Sequence, residues 1–307
     1  MSGDIGDRRW FQVGLLVTLG LGWGMTQPLG KMATEDGHGP FGLIFWQLVV
    51  CVLVLGAICL PKGKGLVFTP AALRFYVVVA ALGTLIPNAT FYISVARLPA
   101  GVMSMIISAV PMIAFPLSVL LGMERFGWLR LMGLCLGLVA VSLLAAPGAV
   151  LPGAAMVAFL PIAMIGPLCY AMEGLFVARF GTAGMDAVQA MFGASVVGLL
   201  GCLPLALMTG QMFDPFAGFG RPEAALVLSS AVHALMYAAY VWLAFRAGAV
   251  FASQCSYIVT GAGIFWAMVL LGERFPPSLW LAVVLLLCGV ALVSPRERAA
   301  GKATPAP

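Results

Sequence analysis

Charge is what this chain has least of: charged side chains make up 9% of its 307 residues, against 62% hydrophobic ones. A soluble domain is nearer a quarter charged and half apolar. With a mean hydropathy of +1.07, a water-soluble fold of this length cannot hide the surplus. No basic cluster exceeds two or three residues, so the net charge of +5 is no nucleic-acid footprint. The seven cysteines (Cys51, Cys59, Cys135, Cys169, Cys202, Cys255 and Cys288) are odd in number, lack C-x-x-C spacing and fall inside apolar stretches. That excludes a disulfide framework or a zinc site and leaves small packing residues. The motifs G-x-x-x-x-G-K-[ST], H-E-x-x-H and G-x-S-x-G are all missing, as is a second intramembrane carboxylate. ATP drive within the chain is thereby excluded, and an intramembrane enzyme is left as a remote alternative. No enzyme, metal or cofactor is expected.

What is present is apolar length. A bilayer core needs about 20 apolar residues per helix, and on that ruler ten spans are expected: 10–31, 41–60, 72–95, 100–121, 127–146, 153–178, 187–208, 223–245, 249–271 and 277–294. Residues 1–9 end in Arg8-Arg9 and precede an apolar run too long for a signal peptide, with no small-residue cleavage site. The tail 295–307 is polar, Pro/Ala-rich and expected to be disordered.

The chain is also duplicated. In Arg97–Glu124 and Arg246–Glu273 the Glu stands 27 positions after the Arg across an apolar span; both copies close on Leu-Leu-Gly and Glu-Arg-Phe, and they lie 149 residues apart. Such a period fixes the architecture: repeat 1 over 10–146, a linker at 147–152 and repeat 2 over 153–294. With a cytoplasmic N-terminus, twelve Lys/Arg fall inside and four outside, a positive-inside bias that puts both termini in the cytoplasm. Five spans per repeat is an odd number, so the second repeat enters the membrane inverted. Inverted repeats of this kind flank substrate sites in transporters.

The residues that carry a family likeness now line up. They are Trp23-Gly24 followed by Lys31, the weaker Tyr170-Ala171 followed by Arg179, Pro111, the Leu-Gly-Met-Glu-Arg and Leu-Gly-Glu-Arg turns ending at Arg125 and Arg274, and Gly133, Gly137 and Gly289. The chain resembles the EamA-type permeases of the drug/metabolite transporter superfamily from Trp10 to Ser294. It departs from them at Thr260-Gly261, where a proline matching Pro111 is often found. The resemblance implies an all-α membrane protein of two inverted five-helix repeats. It also implies a secondary transporter in the inner (plasma) membrane, most like the exporters of amino acids and related metabolites.

Polar side chains in hydrocarbon are costly and face a cavity or a neighbouring helix. Trp23, Thr26, Gln27 and Pro28 cluster in span 1, where Pro28 frees a backbone carbonyl near Gly24; a repaired kink is the plainer alternative. Asn88, with Tyr92 one turn on, either ties two helices or holds a substrate. His233, Tyr237 and Tyr240 share one helical face, for packing or for a cavity. Glu173 is the one carboxylate well inside a span, and no Lys or Arg stands near midspan to neutralise it. It either stays protonated against a neighbouring helix, pairs with His233 or a substrate ammonium, or alternates among these. Trp46, Gln47, Gln189, Gln254 and Tyr257 are lesser candidates, and the two Glu-Arg turns are expected to pair charge at the membrane edge.

The expected substrate contacts are therefore Trp23, Gln27, Asn88, Tyr92, Glu173, His233, Tyr237 and Tyr240, with Glu173 and His233 as the groups for proton coupling. The expected partners are a small-molecule substrate, the lipid bilayer and protons as coupling ion. The alternative to amino-acid export is proton-coupled uptake of an amine or quaternary ammonium, which aromatic faces recognise.

Overall fold

The computed structural model describes residues 9–107, 109–123, 126–145, 151, 154–247 and 255–293. Segment 1–8, nearly all of the 147–152 linker and the 295–307 tail lie outside the described residues, as do Glu124, Arg125 and Gln254.

The described residues are helical and contain no strand. Repeat 1 comprises α1 (Arg9–Met32), α2 (Pro40–Cys59), α3 (Pro70–Val79), α4 (Ile86–Val95), α5 (Ala100–Ile107), α6 (Val110–Leu120) and α7 (Trp128–Ala145). After the short α8 (Ala154–Val157) come α9 (Leu160–Phe180), α10 (Ala187–Met208), α11 (Arg221–Ala247), α12 (Cys255–Leu271) and α13 (Pro277–Val293). Among the described residues, six helical stretches are long and apolar enough to cross a membrane: Pro40–Lys62, Pro70–Val95, Ala100–Leu120, Ala155–Phe180, Ala187–Met208 and Arg221–Leu243. Shorter apolar helices occupy Trp128–Leu143, Cys255–Leu271 and Pro277–Gly289.

Local chemistry sets the boundaries. Thr69 caps α3 by accepting the Ala72 N–H at 3.2 Å, and Asp186 caps α10 by accepting that of Gln189 at 3.0 Å. Three expected spans are not single helices; the one at 153–178 begins with the short α8 ahead of α9. Around Pro111 the 100–121 span divides into α5 and α6. Between α3 and α4 the chain passes through a π-helical turn, Ala80–Leu85, where the Ile86 N–H donates to Ala81 O. Pro87 explains the widening: it brings no N–H, and its ring crowds the carbonyl four residues back, at Gly83.

The repeats interlock by exchange. Contacts of α1 with α11 and α12 are matched by contacts of α9 with α4 and α5, and those of α2 with α11 by those of α3 with α10. The pairs α2–α10, α5–α12 and α7–α13 join equivalent spans. Close approach depends on missing side chains. A Cβ on Gly24 would stand 2.7 Å from Ala262 Cβ and Gly263 N, and one on Gly289 2.6 Å from Gly133 O and 3.1 Å from Gly137 N. Gly133 and Gly137, one turn apart on α7, thus form a small-residue seat for α13.

Polar contacts pin the two ends of the bundle. At one end Lys31 Nζ donates to Leu98 O at 2.8 Å and meets Glu273 Oε1 at 3.3 Å. The loops beside it join through Gln211 Oε1, which accepts the Phe41 N–H at 2.8 Å, and through His38 stacked on Phe213. At the other end Lys64 pairs with Asp186 at 2.5 Å, and Gln189 Nε2 donates to Gly65 O at 2.9 Å.

Candidate functional site

The helices leave their polar groups on an inner face shared by both repeats. Glu173, on α9 and 5% exposed, accepts a hydrogen bond from the Tyr237 hydroxyl of α11. The carboxylate also lies against Gly83 of the π-helical turn: a Cβ there would stand 2.7–2.8 Å from Oε1, Cδ and Oε2. Trp23 of α1 packs on Tyr237 and Tyr240 with ring centroids 6.0 and 5.3 Å apart, and His233 sits edge-on to Tyr237 at 5.7 Å. Thr26 does not enter the site; its hydroxyl returns to Trp23 O at 2.7 Å.

A second polar chain runs beside the first. Gln47 Oε1 on α2 accepts from Asn88 Nδ2 at 3.2 Å and from the Tyr92 hydroxyl at 3.0 Å. Asn88 Oδ1 in turn accepts the Tyr170 hydroxyl at 3.4 Å. Asn88, Tyr92 and Gln47 are buried, as polar groups can be when they satisfy one another. Tyr170 lies one helical turn from Glu173, so the two chains meet on α9.

Between them is a small cavity of about 10 Å³, bordered by Gln47, Thr84, Ser195, His233 and Tyr237. That is room for about one water molecule. In this conformation the helices are closed around the polar groups.

The structure thus gathers seven of the eight expected site residues: Trp23, Glu173, His233, Tyr237 and Tyr240 in one set, Asn88 and Tyr92 in the other. Gln27 stands apart. It is 6% exposed, and its Oε1 is buried without a hydrogen-bond partner. His233 makes no ion pair with Glu173; Tyr237 occupies that place. Of the lesser candidates, Gln47 proves central, whereas Trp46 Nε1 donates to Phe213 O at 2.9 Å and Gln189 ties a loop. Gly83, Thr84 and Ser195 carried no sequence signal beyond being small or polar in an apolar span.

One His–carboxylate group among the described residues brings ligand atoms within 4.8 Å: Asp36, His38 and Glu223, beside the pinned loops. Glu223 there accepts the Gly220 N–H at 2.8 Å at the start of α11. The positive helix end and neighbouring Arg221 oppose a cation.

Comparison with known proteins agrees with this architecture. The model of the EamA-like transporter family matches twice, over residues 10–146 and 158–294. A solved crystal structure of a protein is similar over 93% of this chain and 99% of its own, with a TM-score of 0.57 and 16% identity, a likeness of fold. No curated protein matches the sequence. Two matches in tandem, spanning nearly all of the chain, place it: the protein belongs to the EamA-like transporter family, multi-pass membrane carriers of small molecules.

Proposed function

We propose that this protein is a secondary transporter that moves a small organic molecule bearing a cationic nitrogen by alternating access, with Glu173 exchanging a proton for that nitrogen. One observation carries the proposal: the carboxylate is buried near Tyr170, Tyr237 and Tyr240, with the Tyr237 hydroxyl as its partner and no cationic side chain paired with it among the described residues. A buried carboxylate without a counter-ion is stabilised by a proton or by a cationic ligand. Aromatic faces add to the attraction for an ammonium group.

Export of an amino acid or relative is the second reading. The Thr84 and Ser195 hydroxyls on the cavity favour it, since they could donate to a substrate carboxylate. In either case the proposed frame is ten spans in two inverted repeats, 10–146 and 153–294, in the inner (plasma) membrane with both termini cytoplasmic. The exchange-symmetric packing of the repeats and the twelve-to-four distribution of Lys and Arg support that frame.

Reconstitution into proteoliposomes with an internal pH dye tests the coupling. Choline, ethanolamine and a set of zwitterionic amino acids are added in turn. Choline or ethanolamine should move protons through the wild type and not through Glu173→Gln. Unchanged pH-dependent flux in Glu173→Gln would refute the coupling role. Flux with amino acids alone would favour the second reading.

A further inference from the structure

We infer that Gly83 is a positioning residue for Glu173: the space left by its missing side chain is where the carboxylate stands, and the π-helical turn brings that space to it. This rests on Glu173 being the coupling group proposed above.

The geometry is specific. All three atoms of the carboxyl group fall within 2.8 Å of where a Cβ on Gly83 would be, closer than real Cβ contacts allow. An alanine there leaves the carboxyl no place in its present rotamer. Gly174, next to Glu173 on α9, has nothing within 4 Å of its own added Cβ, so its small size leaves no space that the carboxyl fills. The wide turn is the second element. Single π-helical turns are rare and concentrate at functional sites, and this one holds Gly83 against Glu173 and sets neighbouring Thr84 at the cavity.

The carboxyl is consequently clamped by groups from both repeats, Gly83 of repeat 1 and the Tyr237 hydroxyl of repeat 2. Relative movement of α11 and the π-helical turn must change the clamp, and with it the proton affinity of Glu173. The titratable groups around it are Tyr237, Tyr240 and His233 on α11, and Tyr170 and Cys169 on its own helix. Among the described residues no lysine or arginine stands with them.

The test needs no substrate. The carboxylic C=O infrared band of Glu173, assigned by its loss in Glu173→Gln, is titrated in wild type, Gly83→Ala and Gly174→Ala. Gly83→Ala should move the midpoint by about one pH unit and Gly174→Ala should leave it in place. A wild-type midpoint in folded Gly83→Ala overturns the inference. If Gly83→Ala does not fold, the double variant Gly83→Ala/Glu173→Ala decides. Recovery of a monodisperse, cooperatively melting protein supports the shared space, and failure to recover overturns it. The coupling role stands or falls separately, on proton flux in Glu173→Gln.

Discussion

Glu273 of the second repeat caps the helix that begins at Ala100 in the first. Its two carboxylate oxygens accept the Ala100 N–H at 2.8 Å and the Gly101 N–H at 3.1 Å, while Lys31 holds the first of them from α1. The Phe275 ring that follows fills the space over Gly101, where a Cβ would come within 2.4 Å of it. The turn expected to pair charge at the membrane edge is a clasp between repeats. Glu273→Ala should cost about 1–3 kcal/mol, the range for a charged cap on partly buried N–H groups. Thermal unfolding in detergent measures this, and a wild-type melting temperature would count against the clasp.

Tyr237→Phe should retain the ring contacts with Trp23 and His233 and lose the hydroxyl that Glu173 accepts. A buried acceptor without its donor costs about 1–3 kcal/mol. The pH dependence of transport should shift in step with the carboxyl band. If both remain as in the wild type, the tyrosine is packing alone.

Gln47→Leu should be more damaging than Tyr92→Phe. The first leaves two buried donors, Asn88 Nδ2 and the Tyr92 hydroxyl, without an acceptor, at about 1–3 kcal/mol each. The second removes one donor together with its bond and should cost about 1 kcal/mol. Equal melting temperatures for the two variants would mean that Gln47 is replaceable.

Asp186 predicts a pH effect outside the spans. Partial burial pushes its carboxyl up, but the Lys64 hydrogen bond, the Gln189 N–H and the Lys64 charge outweigh that and hold it below its usual range. A lowered folded-state value stabilises the fold above the ordinary carboxylate range, and this contribution fades as pH falls through the lowered value. The pair is half exposed, so salt should weaken it. Asp186→Ala should lower stability at neutral pH by about 1 kcal/mol through loss of the α10 cap. The difference from wild type should vanish in acid; a constant difference from pH 7 down to pH 3 would contradict the titration.

Topology is open to labelling. In a cysteine-free background, Met123→Cys and Pro276→Cys should react from opposite faces of the membrane. Reaction of both from the same face would end the inverted-repeat proposal.

Much of this was legible in the chain because hydrocarbon makes polarity conspicuous. Glu173, Asn88 and the His233–Tyr237–Tyr240 face stand out against apolar neighbours, and the structure brings them together. Gln27 looked equivalent by its type and position in span 1, yet which way a helix face turns depends on packing partners that no local pattern states. Gln47 was undervalued because one amide in a span gives no sign that two donors converge on it. Gly83 was invisible: glycine is common here, and only the register change ahead of Pro87 gives this one a task. The Glu273 turn was recognised by repetition, but its cap crosses 173 residues of sequence, beyond any local signal.

The bare contact between α1 and α12 has a mechanical consequence. With Gly24 seated on Ala262 and Gly263, two helices from opposite repeats meet almost backbone to backbone. Gly20 beside Ile258 extends the seam. Spans joined so closely can pivot about their line of contact, but prising them apart would forfeit dispersion contacts along its whole length. In the alternating-access reading proposed above, this seam is the line about which the halves would turn, and the clasp at Glu273 and the Lys64–Asp186 pair are the contacts that would have to open. A bulkier residue at Gly24 would wedge that seam against Ala262 and Gly263.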